Sequence, residues 1–212
     1  VKNTSIDKFG NRAFALADEE IDDNPFNLIK NSDEFTKLCK NILKINKINV
    51  DKNLDIHNVI ALQKNEQNTN FGISSKLHFD AFFLTIIIPI KKTNNGQRGT
   101  TGSLVFYPNM RKLSSSSLFN YLIKFLIQNS LFRKFLSINY VKNILKFKIV
   151  SSEKDKLLCF YGYRTLHGNE ALLDKNLKVH SIFHIYNPHK NSAIDKWIFN
   201  RNKNIRMKKL NN

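Results

Sequence analysis

The sequence predicts one mainly β domain with flanking helices, and three observations carry that prediction. Phe82 to Ile90, FFLTIIIPI, is a run of Phe, Ile and Thr too short to span a membrane and suited to a buried strand. Lys91 to Thr101 follows, where Asn95-Gly96 and Gly99 are loop or hairpin signals, and Gly102 to Pro108 reads as the antiparallel returning strand. Further strand candidates lie at Ile149–Ser152, Lys156–Tyr161 and Val179–Tyr186, while the main helical spacing falls in two stretches before and between the β segments.

A length of 212 residues suits a single domain with a full core. Residues 1–25 are largely polar, carry the acidic cluster Asp18 to Asp23, and are expected to form an irregular arm. Residues 26–70 should supply N-terminal helices and support. Phe35, Leu38, Ile42 and Ile45 fall at helical steps behind Ser32 as N-cap, and Val59–Leu62 fits a buried strand or a short helix. Residues 71–112 and 149–190 form the β core. Between them, residues 113–148 read as a helical insert, interrupted near Asn129-Ser130, and 191–212 as a polar, basic tail containing Trp197 that ends as a short helix and a loose end.

The formal net charge is +17, and no Asp or Glu occurs between Asp80 and Glu153. That interval presents positive potential to a substrate, a membrane surface or a nucleic acid, unless its lysines are simply solvated surface in a chain rich in Lys, Asn and Ile. No zinc finger, RNP-type strand or basic-leucine array is present, which argues against a nucleic-acid partner. The insert is both basic and apolar. That combination suits a lid, a helix pair packed on the sheet or on a second subunit, or contact with a membrane surface through 114–148. Cys39 and Cys159 form no CxxC motif, so neither a disulfide framework nor a thiolate zinc site is indicated, and a reducing, cytoplasmic setting is expected.

The chemistry-bearing pattern is His78-Phe79-Asp80 at the entrance to the first apolar strand. Residues two apart on a strand share a face, so imidazole and carboxylate project together. Both suit a divalent first-row metal, and two histidines with one carboxylate and open positions are the donor set of non-heme iron(II) oxygenases. The bland alternative is a His–Asp hydrogen bond at a strand end. His167, before Gly168 at the end of a later strand, is the candidate second histidine.

On His78-x-Asp80, Gly102-Ser-Leu-x-x-x-Pro108, Leu166-His167-Gly168 and the strand after it, the chain resembles the iron(II)/2-oxoglutarate-dependent oxygenases of the phytanoyl-CoA and prolyl-hydroxylase-like groups. The resemblance covers residues 70 to 190. It implies a double-stranded β-helix, the cupin-like jelly roll, with a helical insert. It also implies that His78, Asp80 and His167 bind iron(II), and that a basic residue holds the far carboxylate of 2-oxoglutarate. Lys178, eleven positions after His167, stands where most hydroxylase-like members have arginine, and lysine lacks the bidentate fork. Arg164 and Arg98 are rival anchors. The implied reaction consumes dioxygen, releases succinate and CO2 and hydroxylates an unactivated C–H bond of a small-molecule or lipid-like substrate, and the basic insert suits an anionic one. Asp80 favours this over halogenation, where a small residue replaces the carboxylate. The long stretch from Asp80 to His167 is accounted for by the insert, a candidate for substrate selection or a dimer contact.

Two other accounts fit the residues: a cupin-like metal enzyme working without 2-oxoglutarate, and a non-catalytic basic module binding an anionic polymer or a membrane. Of the remaining histidines, His180 and His184 share a strand face, His57 lies in an ambiguous segment, and His189 after Pro188 is expected at the surface. Tyr107, Tyr161 and Tyr163 read as core.

Overall fold

A computed structural model describes residues 11–17, 24–50, 53–65, 77–92, 102–114, 116–151, 156–170, 177–198, 200, 201 and 204. In chain order the elements are β1 (Asn11–Ala17), α1 (Asn27–Lys30), α2 (Asp33–Ile45), β2 (Ile56–Asn65), β3 (Leu84–Lys92) and β4 (Leu104–Tyr107), followed by α3 (Ser117–Gln128), α4 (Ser130–Ser137), α5 (Asn139–Ile144), β5 (Lys148–Val150), β6 (Leu158–Phe160), β7 (Leu166–Asn169) and β8 (Leu177–Ile185). A five-stranded sheet runs β1-β2-β8-β3-β6 and a three-stranded sheet runs β5-β4-β7, every pairing antiparallel.

Alternation along the strands sorts side chains into layers. On the outer face of the large sheet, Leu84, Ile86, Phe183 and Ile185 pack with Phe35, Cys39 and Leu43 of α2. Its inner face meets the small sheet through Ile87, Ile182, Leu158 and Phe160 against Leu104 and Phe106. The outer face of the small sheet, through Phe79, Tyr107 and Leu166, is covered by Ile127, Leu136 and Val141 of α3, α4 and α5. The order is therefore helix, large sheet, small sheet, helix, as a jelly roll with an insert requires.

Four features depart from the sequence expectations. Residues 11–17 form a strand and not an irregular arm: bulky and small residues alternate in Arg12-Ala13-Phe14-Ala15-Leu16, and β1 pairs with β2 along its length. β2 lies inside the large sheet between β1 and β8, so 56–65 belongs to the core rather than to its support. β3 and β4 are not hairpin partners: β8 and β6 flank β3, β5 and β7 flank β4, and the two strands lie in different sheets. In α2 the buried stripe is Phe35, Cys39 and Leu43, while Leu38 and Ile45 face outward.

The start signals are as expected. Ser32 Oγ accepts from Phe35 N at 3.1 Å, and Asp33 and Glu34 sit in the first turn of α2, favourably placed against the helix dipole. The interruption near Asn129 is a helix boundary, where Asn129 Oδ1 accepts from Leu131 N at 2.8 Å and caps α4. The acidic cluster at 18–23 and the Asn95-Gly96 loop lie outside the described residues.

Candidate metal centre

The site is built by one backbone pairing. His78 N donates to His167 O at 2.9 Å and His167 N to His78 O at 3.0 Å, an antiparallel bridge that extends the small sheet past β7. Directly opposed residues of an antiparallel pair share a face, so the bridge alone brings the two imidazoles together, ring centroids 4.5 Å apart. Leu77 and Phe79, on either side of His78, pack with the insert on the opposite face.

Asp80 is two residues beyond His78 and returns to that face, its N–H donating to Gly162 O at 3.1 Å. Its Oδ1 lies 3.6 Å from His78 Nε2 and 3.5 Å from His167 Nε2. One ligand atom from each of the three residues falls within 4.8 Å of the others. Asp80 and His167 are buried, each side chain 7% exposed, whereas His78 is 49% exposed. The cluster is thus enclosed on the protein side and open at His78.

Several groups fix it in place. Thr85 Oγ1 donates to Asp80 Oδ2 at 2.5 Å, while Oδ1 is the oxygen beside His78 and His167. Gly162 faces both groups so closely that a Cβ there would collide with Asp80 Oδ2 and Thr85 Oγ1. His167 Nδ1 pairs with Thr165 O at 2.9 Å; with the proton on Nδ1, the Nε2 lone pair points to the cluster, the arrangement typical of metal-binding histidines. His184 Nδ1 stands 3.8 Å from Asp80 Oδ2 and 3.4 Å from Thr85 Oγ1.

The electrostatics follow the geometry. Burial alone would raise the Asp80 carboxyl, but the charges of His167 and His184, the hydrogen bond with His167 and the charge of His78 outweigh it, holding Asp80 well below the usual carboxylate range. Burial would lower His167, yet Asp80 and the Thr165 carbonyl lift it above an ordinary imidazole. His184 is held below the ordinary value, chiefly by burial.

Arg111 ties the centre to the insert. Its guanidinium lies between the rings of Phe79, 4.2 Å, and Tyr163, 3.8 Å, and donates to Tyr163 O, to Asn120 Oδ1 on α3 and, at 3.3 Å, to the Asp80 carbonyl. Burial lowers its pKa to about 10, against the opposing pull of Tyr163 and Asp80.

Lys178 is 3% exposed, not a surface lysine. From the inner face of the large sheet its ammonium reaches Gly102 O and, at 3.1 Å, Asn169 Oδ1. Asn169 is two residues from His167 on the same strand, about 7 Å along it. The Arg164 guanidinium is 5.9 Å from the Tyr161 ring, and Tyr161 packs with the α2 cluster. Arg98 is outside the described residues. His57 is paired with Asp55 at 3.0 Å and lines a cleft of about 450 Å³ with Phe82 and Lys190. The Phe82 ring stacks on His184, 5.3 Å away. His180 is buried on β8, and His189 is buried too, not at the surface, with Nε2 3.2 Å from Tyr163 OH.

Thr85, Gly162 and Arg111 escaped the sequence reading. Thr85 left a trace, as the one hydroxyl within FFLTIIIPI. Gly162 and Arg111 left none, because their roles arise from contacts across the fold.

No family model and no curated protein sequence matches the chain. Among solved structures, it superposes on the non-heme α-ketoglutarate-dependent epimerase SnoN from nogalamycin biosynthesis with a TM-score of 0.53 at 13% identity, covering 85% of this chain and 66% of that one. A Pseudomonas putida prolyl-4-hydroxylase gives 0.44 at 9% identity, over 82% and 71%. HygX from Streptomyces hygroscopicus, with nickel and 2-oxoglutarate bound, gives 0.41 at 10%, over 83% and 69%. The sheet order and the SnoN superposition agree: this chain has a jelly-roll fold similar to that of SnoN.

Proposed function

We propose that the protein is an iron(II)- and 2-oxoglutarate-dependent dioxygenase that hydroxylates an unactivated C–H bond of a small organic substrate. The observation that carries this reading is the His78–His167 bridge with Asp80 set beside it. Two imidazole nitrogens and one carboxylate oxygen, close together and open on one side, fit iron(II) by donor type and leave positions for other ligands. Bound there, iron(II) and 2-oxoglutarate supply oxidative decarboxylation of the oxo acid coupled to oxygen insertion into the substrate.

The protein's own groups have distinct tasks. Asp80, held ionised, provides an anionic oxygen through Oδ1 while Thr85 occupies Oδ2. The Thr165 carbonyl keeps the proton of His167 on Nδ1 and its lone pair on Nε2. Lys178 offers a cation inside the fold, two strand residues from His167, where the far carboxylate of 2-oxoglutarate would replace neutral acceptors by a charged one. The exposed edge of His78 is the side from which substrate and dioxygen approach.

A second reading, the same centre working without 2-oxoglutarate, is favoured by one observation: the Lys178 ammonium already meets Gly102 O and Asn169 Oδ1. Anaerobic addition of Fe(II) and then 2-oxoglutarate separates the two through the visible charge-transfer band of a chelated 2-oxo acid. The proposal expects a band that is lost in Asp80→Ala and needs on the order of tenfold more 2-oxoglutarate in Lys178→Ala, with Arg164→Ala unchanged. Tight Fe(II) binding without a band would establish the second reading. No metal binding would remove both and leave the non-catalytic basic module.

A further inference from the structure

The insert has two apolar faces, and the β core uses only one. Ile127, Leu136 and Val141 are buried against Phe79, Tyr107 and Leu166. On α3, Leu118, Leu122 and Phe125 follow steps of four and three residues along the other side of the helix, 56%, 51% and 72% exposed. Leu131 at the start of α4 and Tyr140 on α5 continue the pattern at 70% and 73%. A helix apolar all round is normally covered on all sides, and exposed apolar side chains in this number mark an interaction site.

Charge decides what covers it. Residues 113–148 include Lys124, Arg133, Lys134, Lys142, Lys146 and Lys148 and no Asp or Glu. Lys146 and Lys148 are exposed, as is Lys112 just ahead of the insert. A symmetric dimer through this face would set the same patch against itself, opposing two uniformly positive segments. An anionic bilayer accepts both properties at once: apolar and aromatic side chains enter the boundary between headgroups and acyl chains while lysines meet lipid phosphates. Among the described residues no helix is long and apolar enough to cross a membrane, so the contact is with the surface.

We infer that the outer face of α3, α4 and α5 docks the protein on an anionic lipid bilayer. The inference does not depend on the oxygenase reading, since none of these side chains belongs to the metal centre. The test is co-sedimentation of the full chain with phosphatidylcholine vesicles with and without phosphatidylglycerol, using wild type, the triple variant Phe125→Ser/Leu131→Ser/Tyr140→Ser, and Lys146→Glu/Lys148→Glu. Binding to the anionic vesicles should exceed binding to the neutral ones by on the order of tenfold or more, weaken with salt, and fall by a similar factor in each variant. The Asp80→Ala variant should bind vesicles like wild type, so loss of the metal centre and loss of docking remain distinguishable. Circular dichroism and thermal melts establish that the variants are folded. Wild type that ignores both vesicle types overturns the proposal. So does a concentration-dependent dimer that the triple variant abolishes, which would make a second copy of the chain the occupant.

Discussion

Helices α2 and α3 lie on opposite outer faces of the same two-sheet core and solve the problem of a helix surface differently. α2 buries Phe35, Cys39 and Leu43, starts on a Ser32 cap with two acids in its first turn, and ends near Lys44. α3 also starts on a serine cap, but has no acid in its first turn and no base in its last, and shows water a row of leucines and phenylalanines. The difference teaches that helical periodicity identifies a helix without stating how many of its faces are used. α2 is complete within this chain, whereas the composition of α3 anticipates a second contact.

That contrast can be broken or sharpened by measurement, beginning with the largest effect. Leu43→Ala removes a fully buried side chain from the α2 cluster and should destabilise the protein by about 2–5 kcal/mol in urea unfolding. A loss below about 1 kcal/mol would mean that α2 is not a structural layer.

Next comes the seam where the layers meet the metal centre. Gly162→Ala drives a methyl group into Asp80 and Thr85 and should weaken Fe(II) binding on the order of tenfold or more in a competition titration. Unchanged affinity would show that Asp80 can relocate without consequence. Arg111→Met removes the donor shared by Asn120 of α3, Tyr163 and Asp80. Its expected cost is about 1–3 kcal/mol of stability, with a parallel loss of metal affinity. Stability lost without metal affinity would confine Arg111 to anchoring the insert.

Protonation gives a smaller effect with a defined sign. In the metal-free protein His167 is raised, so its contribution to stability is complete below the ordinary imidazole pKa and is lost as pH rises through the raised value. Asp80 is lowered, so its contribution is complete above the ordinary carboxylate pKa and is lost as pH falls towards its folded value. His184, also lowered, adds to the acid side, losing stability as pH falls through the imidazole range. Melting temperature scanned against pH should therefore decline at both ends, and His167→Gln should flatten the alkaline decline. Metal binding requires deprotonated ligands, so Fe(II) affinity should rise across the interval in which the metal-free protein loses stability. The smallest expected effect closes the comparison: Phe125→Ser, on the outer face of α3, should change stability by no more than about 0.5 kcal/mol.

Much of the site was legible because its chemistry is local. His78 and Asp80 are two apart, and a strand puts such residues on one face whatever the rest of the chain does. His167 was expected at a strand end, but it is the second residue of β7 with Gly168 inside the strand, and only the bridge to His78 explains why the rings meet. The positions that hold the centre were not legible. Gly162 matters through a steric approach to Asp80, and Arg111 through three partners from separate segments. Lys178 was reached by counting from His167 along the pattern of the resembled family, but its burial beside Asn169 and Gly102 was not legible.

The fold divides in the same way. The residue pattern by itself determined that the chain is β-rich and that its long helical stretch breaks near Asn129, and it made His78, Asp80 and His167 candidates for a metal. Tertiary structure decided which strands pair, that β3 and β4 part into different sheets, and that Asn11–Ala17 closes the edge of the larger one. The reason is physical: side-chain alternation and helical spacing are set by adjacent residues, whereas strand partners and close approaches depend on which distant segments bury the same apolar surface together.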